Sequence, residues 1–589
     1  MTAAGILPGR YDYVIVGAGS AGCVLANRLS ADPTASVLLL EAGGSDAHPY
    51  LRAPAGFLKT FQDPRFNWCY GTEPGPGVDG RSIFFPRGKV LGGSSSINGH
   101  LYVRGQARDF DTWAQMGNRG WSYGEVLPYF RRSEDRPGGD PAWRGAGGPL
   151  HVSDIHERHP ICEAFIAGAA SLGLPRNPDY NGAAQEGVAY YQRTIRNGRR
   201  HSAATGFLRP AMRRPNLRVE TGAHVLGLDC EGRRVVGVTF RQRGRVWSVR
   251  AGAEVLLSAG AVGSPHLLQL SGIGPAGHLR AVGVEPVHDL PGVGEGLRDH
   301  YAMRVVRRVT RPVTLNERAR LPRLWWEVAA WLAAGRGLLA FSPAHVGAFL
   351  RSRPGLEEPD LQVVFTPASY GEGGVTGRLE SLPGMTCGVW QMRPESAGHV
   401  RARSPDPETA PAIQPNYLTA AEDRRAAVDG LHWARRLLAT EALAPWSGPE
   451  TLPGEGCRDE RALLAYARAR GSTVYHAVGT CRMGVDPLAV VGPDLRLRGM
   501  AGLRVVDASV MPTMVSANTN AATLMVAEKA SDLVLADRRA ARFGTGGRPP
   551  FGRGGSGGIS GSRIDQSSSE TRGAAMHRTS VRPYSASRF

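Results

Sequence analysis

The stretch from Tyr11 to Gly44 limits what this chain can fold into more than any other. It opens on an apolar run, Tyr13, Val14, Ile15 and Val16, and turns at once on Gly17, Gly19 and Gly22 in GxGxxG spacing. An Ala/Leu-rich segment follows, and a second apolar run, Val37 to Leu40, ends on Glu41. The order reads strand, tight turn, helix, strand. The glycines differ in what they do. One makes the turn, one lets backbone amides approach a pyrophosphate, and one lets helix and strand pack closely. The phosphates would meet the positive end of the helix. Glu41 falls about 20 residues after the last glycine, where a carboxylate accepts the hydroxyls of an adenosine ribose. A glycine turn in an ordinary βαβ unit is the plainer alternative. Strand, helix, second strand and acid together favour a dinucleotide site.

At 589 residues the chain is too long for one core and points to two or more domains. No run reaches the length of a membrane span, and the first strand begins too early to leave room for a signal peptide. The seven cysteines (23, 69, 162, 230, 387, 457 and 481) are scattered and free of CxxC spacing. Neither a disulfide framework nor a metal site is expected, which fits a reducing, cytoplasmic setting. The formal charge of +18 invites a nucleic-acid reading, but lysine occurs only at 59, 89 and 529, so nearly all of the 70 basic residues are arginine. That arginine is dispersed, with no basic cluster interleaved with aromatics, so no nucleic-acid partner is expected. From Ala540 onward the composition turns to Gly, Ser, Arg and Pro without periodicity, which predicts a disordered tail over 540–589.

Between these ends, residues 45–80 read as a long irregular excursion. The run from Arg87 to Gly99 (RGKVLGGSSSING) predicts a loop whose backbone lies flat against a ligand, clamped between the apolar runs Ile83–Phe85 and Leu101–Val103. Residues 216–258 alternate apolar and polar positions and predict a small β-meander. Leu256 to Gly260 then runs into a turn, and a helix is expected from Ser264–Pro265 to Leu270. Residues 311–455 change character, with short strands, proline-rich turns and one apolar helix, Leu324 to Leu339, carrying Trp325, Trp326 and Trp331. Burial in a domain core is the expected fate of that helix, ahead of a patch facing a membrane surface or a quinone. Leu503 to Asp507 reads as another strand ending on an acid. A helix is predicted from about Asn518 to Ala536, with Asn518 or Thr519 as its N-cap.

Three features together make the chain resemble the glucose–methanol–choline (GMC) flavoprotein oxidoreductases over roughly residues 11–536. They are the fingerprint Gly17 to Gly22 with Glu41, Ala42 and Gly43; the pair of signatures Gly88–Asn98 and Gly260–Gly274; and His476 in its Gly-Thr-Cys-Arg-Met-Gly context, followed by Asp507–Ser509 and Asn518–Asn520. The resemblance implies an α/β fold: a Rossmann-like FAD-binding domain, built from 10–157, 208–310 and 465–538, with a discontinuous α+β substrate-binding cap domain from 158–207 and 311–464. It implies FAD rather than NAD, touched by Ser20, Ala21, Glu41, Ala42, Val90, Leu91, Gly92, Ser95, Asn98, Val225 and Ala259. Asp507, Ala508, Asn518 and Thr519 would lie near the flavin end. Some family oxidases bond FAD through a histidine where this chain has Ile97, so the expectation here is non-covalent FAD.

Oxidising an alcohol removes a hydroxyl proton and a carbon-bound hydride, and the hydride leaves readily only once a base has taken the proton. His476 matches the family base, and histidine's reference pKa of ~6.5 suits that role. Asn520 matches the second active-site position, with Asn518 better placed as a helix cap. The resemblance therefore implies oxidation of a primary alcohol with electrons passed to a quinone-type acceptor. Choline as substrate and oxygen as acceptor are the alternatives, and a cyanohydrin lyase of the same family is a remote one. Many relatives carry a glutamate where this chain has His345, which weighs against choline. A cytoplasmic protein is expected, compatible with peripheral contact at the inner face of a membrane.

Overall fold

The strand Tyr11–Val16 sits in the middle of an eight-stranded sheet, flanked by Val37–Glu41 on one side and the long strand Arg245–Leu257 on the other. Val37–Glu41 is buried throughout and Tyr11–Val16 nearly so, as expected of parallel strands covered on both faces. Leu217–Thr221 adds a parallel strand outside Val37–Glu41, and Leu503–Val505 adds one beside Leu257. The computed structural model describes residues 5–311, 314–371 and 378–542. The tail expected from 540 therefore lies, from 543 on, outside the described residues. The described residues up to Arg538 pack as one compact unit.

The expected meander needs correction at its start. Leu217–Thr221 pairs in parallel with Val37–Glu41, and the meander proper is Ala223–Glu231, Arg234–Gln242 and Arg245–Leu257. Alternation alone cannot say which neighbour a strand will choose. The last of these strands pairs both ways within the one sheet: its first half closes the antiparallel meander and its second half enters the parallel set, across a break in register between Ala251 and Glu254. The next helix also starts earlier than expected, spanning Gly260–Leu270 with Pro265 inside it. The Asp507 carboxylate explains this, since it accepts from the Gly260 N–H at 2.9 Å and the Ser264 hydroxyl at 2.5 Å and so caps the first turn.

A second, antiparallel sheet carries Ser447–Leu452, Tyr301–Val309, Gly384–Gln391, Leu361–Thr366, Val346–Leu350 and Gly187–Tyr190 in that order. Tyr301–Val309, expected at the end of the FAD-binding segments, is an inner strand here. Helices Pro160–Ser171 and Ala421–Leu438 share a separate hydrophobic core with this sheet. Its other face carries Arg304, Val364 and Trp390 toward a cavity shared with the first sheet.

The tryptophan helix departs most from expectation. It spans Arg323–Ala334 and buries none of its residues. Trp325, Trp326 and Leu332 are 68%, 78% and 66% exposed. The helix is held by its opposite side, where Trp331 donates its indole N–H to the Gly198 carbonyl at 2.8 Å and Glu327 accepts from Arg318 and from the Leu338 N–H. An apolar helix with no element packed over its outer face stays exposed whatever its composition. Among the described residues no helix is long and apolar enough to cross a membrane.

Candidate active site

Both sheets open on one cavity of about 460 Å³. One end is the fingerprint turn. Gly17 has φ +95°, and a Cβ there would stand 2.6 Å from the Ser258 carbonyl oxygen; one on Gly22 would stand 1.9 Å from the Gly17 oxygen. The helix Ser20–Leu29 begins at Gly19 with no side chain capping it, so its leading amides face the cavity unshielded. The glycine-rich loop lies directly on this turn. Gly92 donates to the Ala18 carbonyl at 2.7 Å, and a Cβ on Gly93 would reach within 2.6 Å of the Gly19 Cα. Glu41 accepts from the Ala18 and Gly43 amides, both at 2.8 Å, and burial raises its carboxyl to about 7, against the pull of those two bonds.

Most residues expected at the cofactor line this cavity. Gly17, Gly19, Ser20, Ala21, Glu41 and Ala42 do so from the fingerprint, and Asn98, Val225 and Ala259 from the following loops. Asp507, Ala508, Asn518 and Thr519 line it from the C-terminal segment. Gly22, Val90, Leu91, Gly92 and Ser95 stand behind the wall. Gly22 is a packing glycine, and the Ser95 hydroxyl, which donates to Gly92 and accepts from the Ala203 N–H, braces the loop.

At the other end His476 is fixed from three directions. Its backbone N–H donates to Asp299 Oδ1 at 2.6 Å. Its Nδ1 lies 2.9 Å from Nδ1 of His300, and its Nε2 lies 3.0 Å from the Asn518 amide nitrogen. These partners settle the proton positions. His300 Nε2 faces the Met392 carbonyl at 2.7 Å and so carries a hydrogen. Burial drives the His300 pKa down to about 4, so that ring is neutral and its Nδ1 accepts. His476 Nδ1 must then be the donor, which leaves Nε2 of a neutral His476 unprotonated, an acceptor. Burial, and after it His300 and the Arg87 guanidinium, holds the His476 pKa well below the usual histidine value. The Asn518 carbonyl oxygen accepts from Gln362 at 3.1 Å, which turns its NH2 toward that lone pair.

Asn520 does not take the place expected of it. It sits in the first turn of the helix Thr519–Arg542, and its Oδ1 accepts from the Ser20 hydroxyl at 2.6 Å, at the fingerprint end of the cavity. The amide that meets His476 belongs to Asn518, two residues earlier. Asn518, expected as a helix cap, stands just before the helix and also meets the histidine, while Asn520 meets Ser20.

Comparison with known proteins places this architecture. The family model described as GMC oxidoreductase matches in its N-terminal part over residues 11–302 and in its C-terminal part over 394–527. The mitochondrial choline dehydrogenase of Homo sapiens is 43% identical over 538 residues, covering 89% of this chain and 90% of that protein. The chain belongs to the GMC oxidoreductases. The oxygen-dependent choline dehydrogenase of Rhizobium etli is 42% identical over 535 residues, covering 90% of this chain and 96% of that one. Among solved structures, pyridoxine 4-oxidase from Mesorbium loti superposes with a TM-score of 0.82 at 33% identity, over 90% of this chain and 99% of the other. A formate oxidase variant from Aspergillus oryzae gives 0.84 at 26% identity, over 91% and 100%.

GMC oxidoreductases bind FAD, and this chain has the cradle for it: uncapped amides at a helix start, glycines that leave no room for a side chain, and a carboxylate at the end of the second strand. Asp299, His300, Gln362 and Asn518 hold His476 in place, directly or through one another, and sequence reasoning gave none of them that part. Asp299 is 3% exposed and also accepts from the Tyr417 hydroxyl at 2.5 Å and from Thr473. The backbone beside it is constrained, with Tyr475 at φ +72° and its N–H on the Thr473 hydroxyl at 2.7 Å. No local signal marks these residues, because their partners lie far away in the chain. His345 is 2% exposed, packed on Phe341 and bonded to Thr366 at 3.2 Å, and it is absent from the cavity wall. Among the described residues no cluster of side chains could hold a metal ion.

Proposed function

We propose that this GMC oxidoreductase oxidises a primary alcohol to the aldehyde, with His476 as the base. The observation that carries the reading is the unprotonated Nε2 of a neutral, buried His476 on the cavity wall, which accepts from the Asn518 NH2 until a substrate hydroxyl takes that place, with His300 fixing the ring from behind. Nε2 takes the hydroxyl proton, and the Asn518 NH2 donates to the alcohol oxygen and stabilises the charge that grows there. FAD, when bound, supplies the hydride acceptor. Its attachment is non-covalent in this reading, since buried Ile97 stands on the cavity wall where an attaching histidine would be needed. His476→Ala is expected to keep its yellow cofactor and to lose alcohol-driven flavin bleaching by at least ~100-fold. Equal bleaching in variant and parent removes His476 from the mechanism.

A quinone-type acceptor is favoured by the exposed face of Trp325, Trp326 and Leu332, which suits contact with a lipid surface where such acceptors dissolve. The exposed arginines 320, 323 and 336 around that face complement anionic lipid. Choline is the second substrate reading, favoured by the names of the relatives at 42–43% identity. Oxygen is the second acceptor reading, favoured by the same dehydrogenases from bacteria.

A further inference from the structure

The charges on the cavity wall are unevenly matched. Among the described residues three carboxylates line it, and each is already engaged: Glu41 by the Ala18 and Gly43 amides, Asp507 by Gly260, Ser264 and Ser509, and Glu408 by His224 and Arg241. None belongs to the segments that carry His476, Trp390 and Tyr475. Two arginines line the cavity from neighbouring elements, Arg87 and Arg304. Arg87 is spent on the Pro86 and Tyr475 carbonyls. Arg304 is different: its carbonyl accepts from Tyr466, but its guanidinium has no hydrogen bond or ion pair with any described residue. Its neighbours on the same strand are occupied, Arg307 by the Gly448 and Leu438 carbonyls and Arg308 by Glu380.

No other charged side chain shares the row of the sheet that carries this guanidinium. Arg304 lies opposite Gly388 on the next strand, Gly388 opposite Val364, and Val364 opposite Gly347. Of this row only Arg304 and Val364 line the cavity, while the Val364 side chain covers Gly388 and the Tyr191 ring covers Gly347. A Cβ on Gly388 would already stand 2.9 Å from the Val364 side chain. His100 adds an unused donor on the same wall, 1% exposed, with both ring nitrogens unpartnered. Near it Arg200 and Arg193 bond only to carbonyl and amide oxygens, without a carboxylate partner. A guanidinium on a cavity wall without a protein acceptor is free to take one from a ligand, and a carboxylate matches its fork with two parallel bonds.

We propose that Arg304 is the anchor for a carboxylate on the substrate, so that the alcohol oxidised at His476 is a hydroxycarboxylate. The inference rests on the alcohol-oxidation reading and narrows it. A quaternary ammonium would have to lie in the same cavity as an uncompensated cation, with no free carboxylate to offset it.

The test uses the FAD-loaded enzyme under anaerobic conditions with a series from glycolate to 6-hydroxyhexanoate, each paired with its own amide, and with choline alongside. The acid of the best length is expected to outrun its amide by ~10-fold or more in kcat/KM for flavin reduction, the scale of one charge-assisted pair. Arg304→Gln is expected to erase that preference chiefly through KM, and Arg304→Lys to restore part of it. A second readout needs no turnover: butyrate should perturb the flavin band and raise the melting temperature of the parent, and do neither in Arg304→Gln. Acid and amide reacting alike, choline reacting best, or butyrate binding equally to parent and variant would overturn the proposal. If no alcohol bleaches the flavin while butyrate still depends on Arg304, the alcohol reading fails and the anion subsite stands.

Discussion

At the scale of the residue, the proposed chemistry depends on which nitrogen of His476 carries the proton, and His300 decides that. Because the folded-state pKa of His476 is lowered, the ring stays neutral as pH falls below ~6.5, where a free histidine would take up its proton. Flavin reduction by alcohol should therefore hold its rate well below pH 6.5; a limb at or above that value would contradict the buried arrangement. His300→Leu removes the acceptor at Nδ1 and leaves the ring free to turn or change tautomer, with an expected loss of ~100-fold in flavin reduction and a pH limb shifted toward neutrality. Glu41 titrates in the opposite sense. With its carboxyl raised to about 7 before cofactor binds, ribose hydroxyls that donate to the charged form must drive off a proton. FAD affinity of the apoprotein should weaken as pH falls below 7, by up to ~10-fold per unit, and titrations of Glu41→Gln should show a flat profile. The fingerprint and His476 are legible in the sequence because their meaning is local: spacing sets the turn, and the flanking motif marks the histidine. Asp299, His300 and Gln362 are not, because each acts through a partner from a different strand or loop. Asn518 and Asn520 show the limit most clearly, since two asparagines two residues apart differ in use only through what packs over them.

At the scale of the element, the glycine-rich loop and the fingerprint turn act as one piece. Gly93 has φ +52° and touches Gly19 through bare backbone. Gly93→Ala would force the two apart and also strain its own backbone, at a cost of ~1–3 kcal/mol. The expected product purifies with little FAD and melts lower than the parent even as apoprotein, whereas normal FAD content would show that the contact is dispensable. Sequence composition suggests the clamped loop but not its partner. The true start of the helix Gly260–Leu270 is hidden for a related reason: Asp507, which caps it, comes from a segment far along the chain. Hydrophobicity alone would bury the tryptophan helix, yet burial requires a surface to pack against, and nothing in a local pattern reports whether one exists.

At the scale of the whole molecule, the outer face of Arg323–Ala334 predicts behaviour that no buried feature would. Trp325→Ser with Trp326→Ser should abolish co-sedimentation with vesicles rich in anionic lipid while leaving alcohol-driven flavin reduction intact; equal sedimentation of parent and variant would discard the lipid contact. The closing segment has a different consequence. Leu503–Val505 completes the parallel sheet, Asn518 and His476 complete the site, and the helix Thr519–Arg542 locks back on the beginning of the chain through Glu528 with Arg28 and Arg538 with Asp12. On the ribosome, the first strand is therefore made long before the neighbours that stabilise it, and the nascent nucleotide fold must wait, partly open, for the segment from Leu503 to Arg542. Premature stop codons anywhere upstream of that helix should yield a colourless, chaperone-dependent product rather than a weakened enzyme.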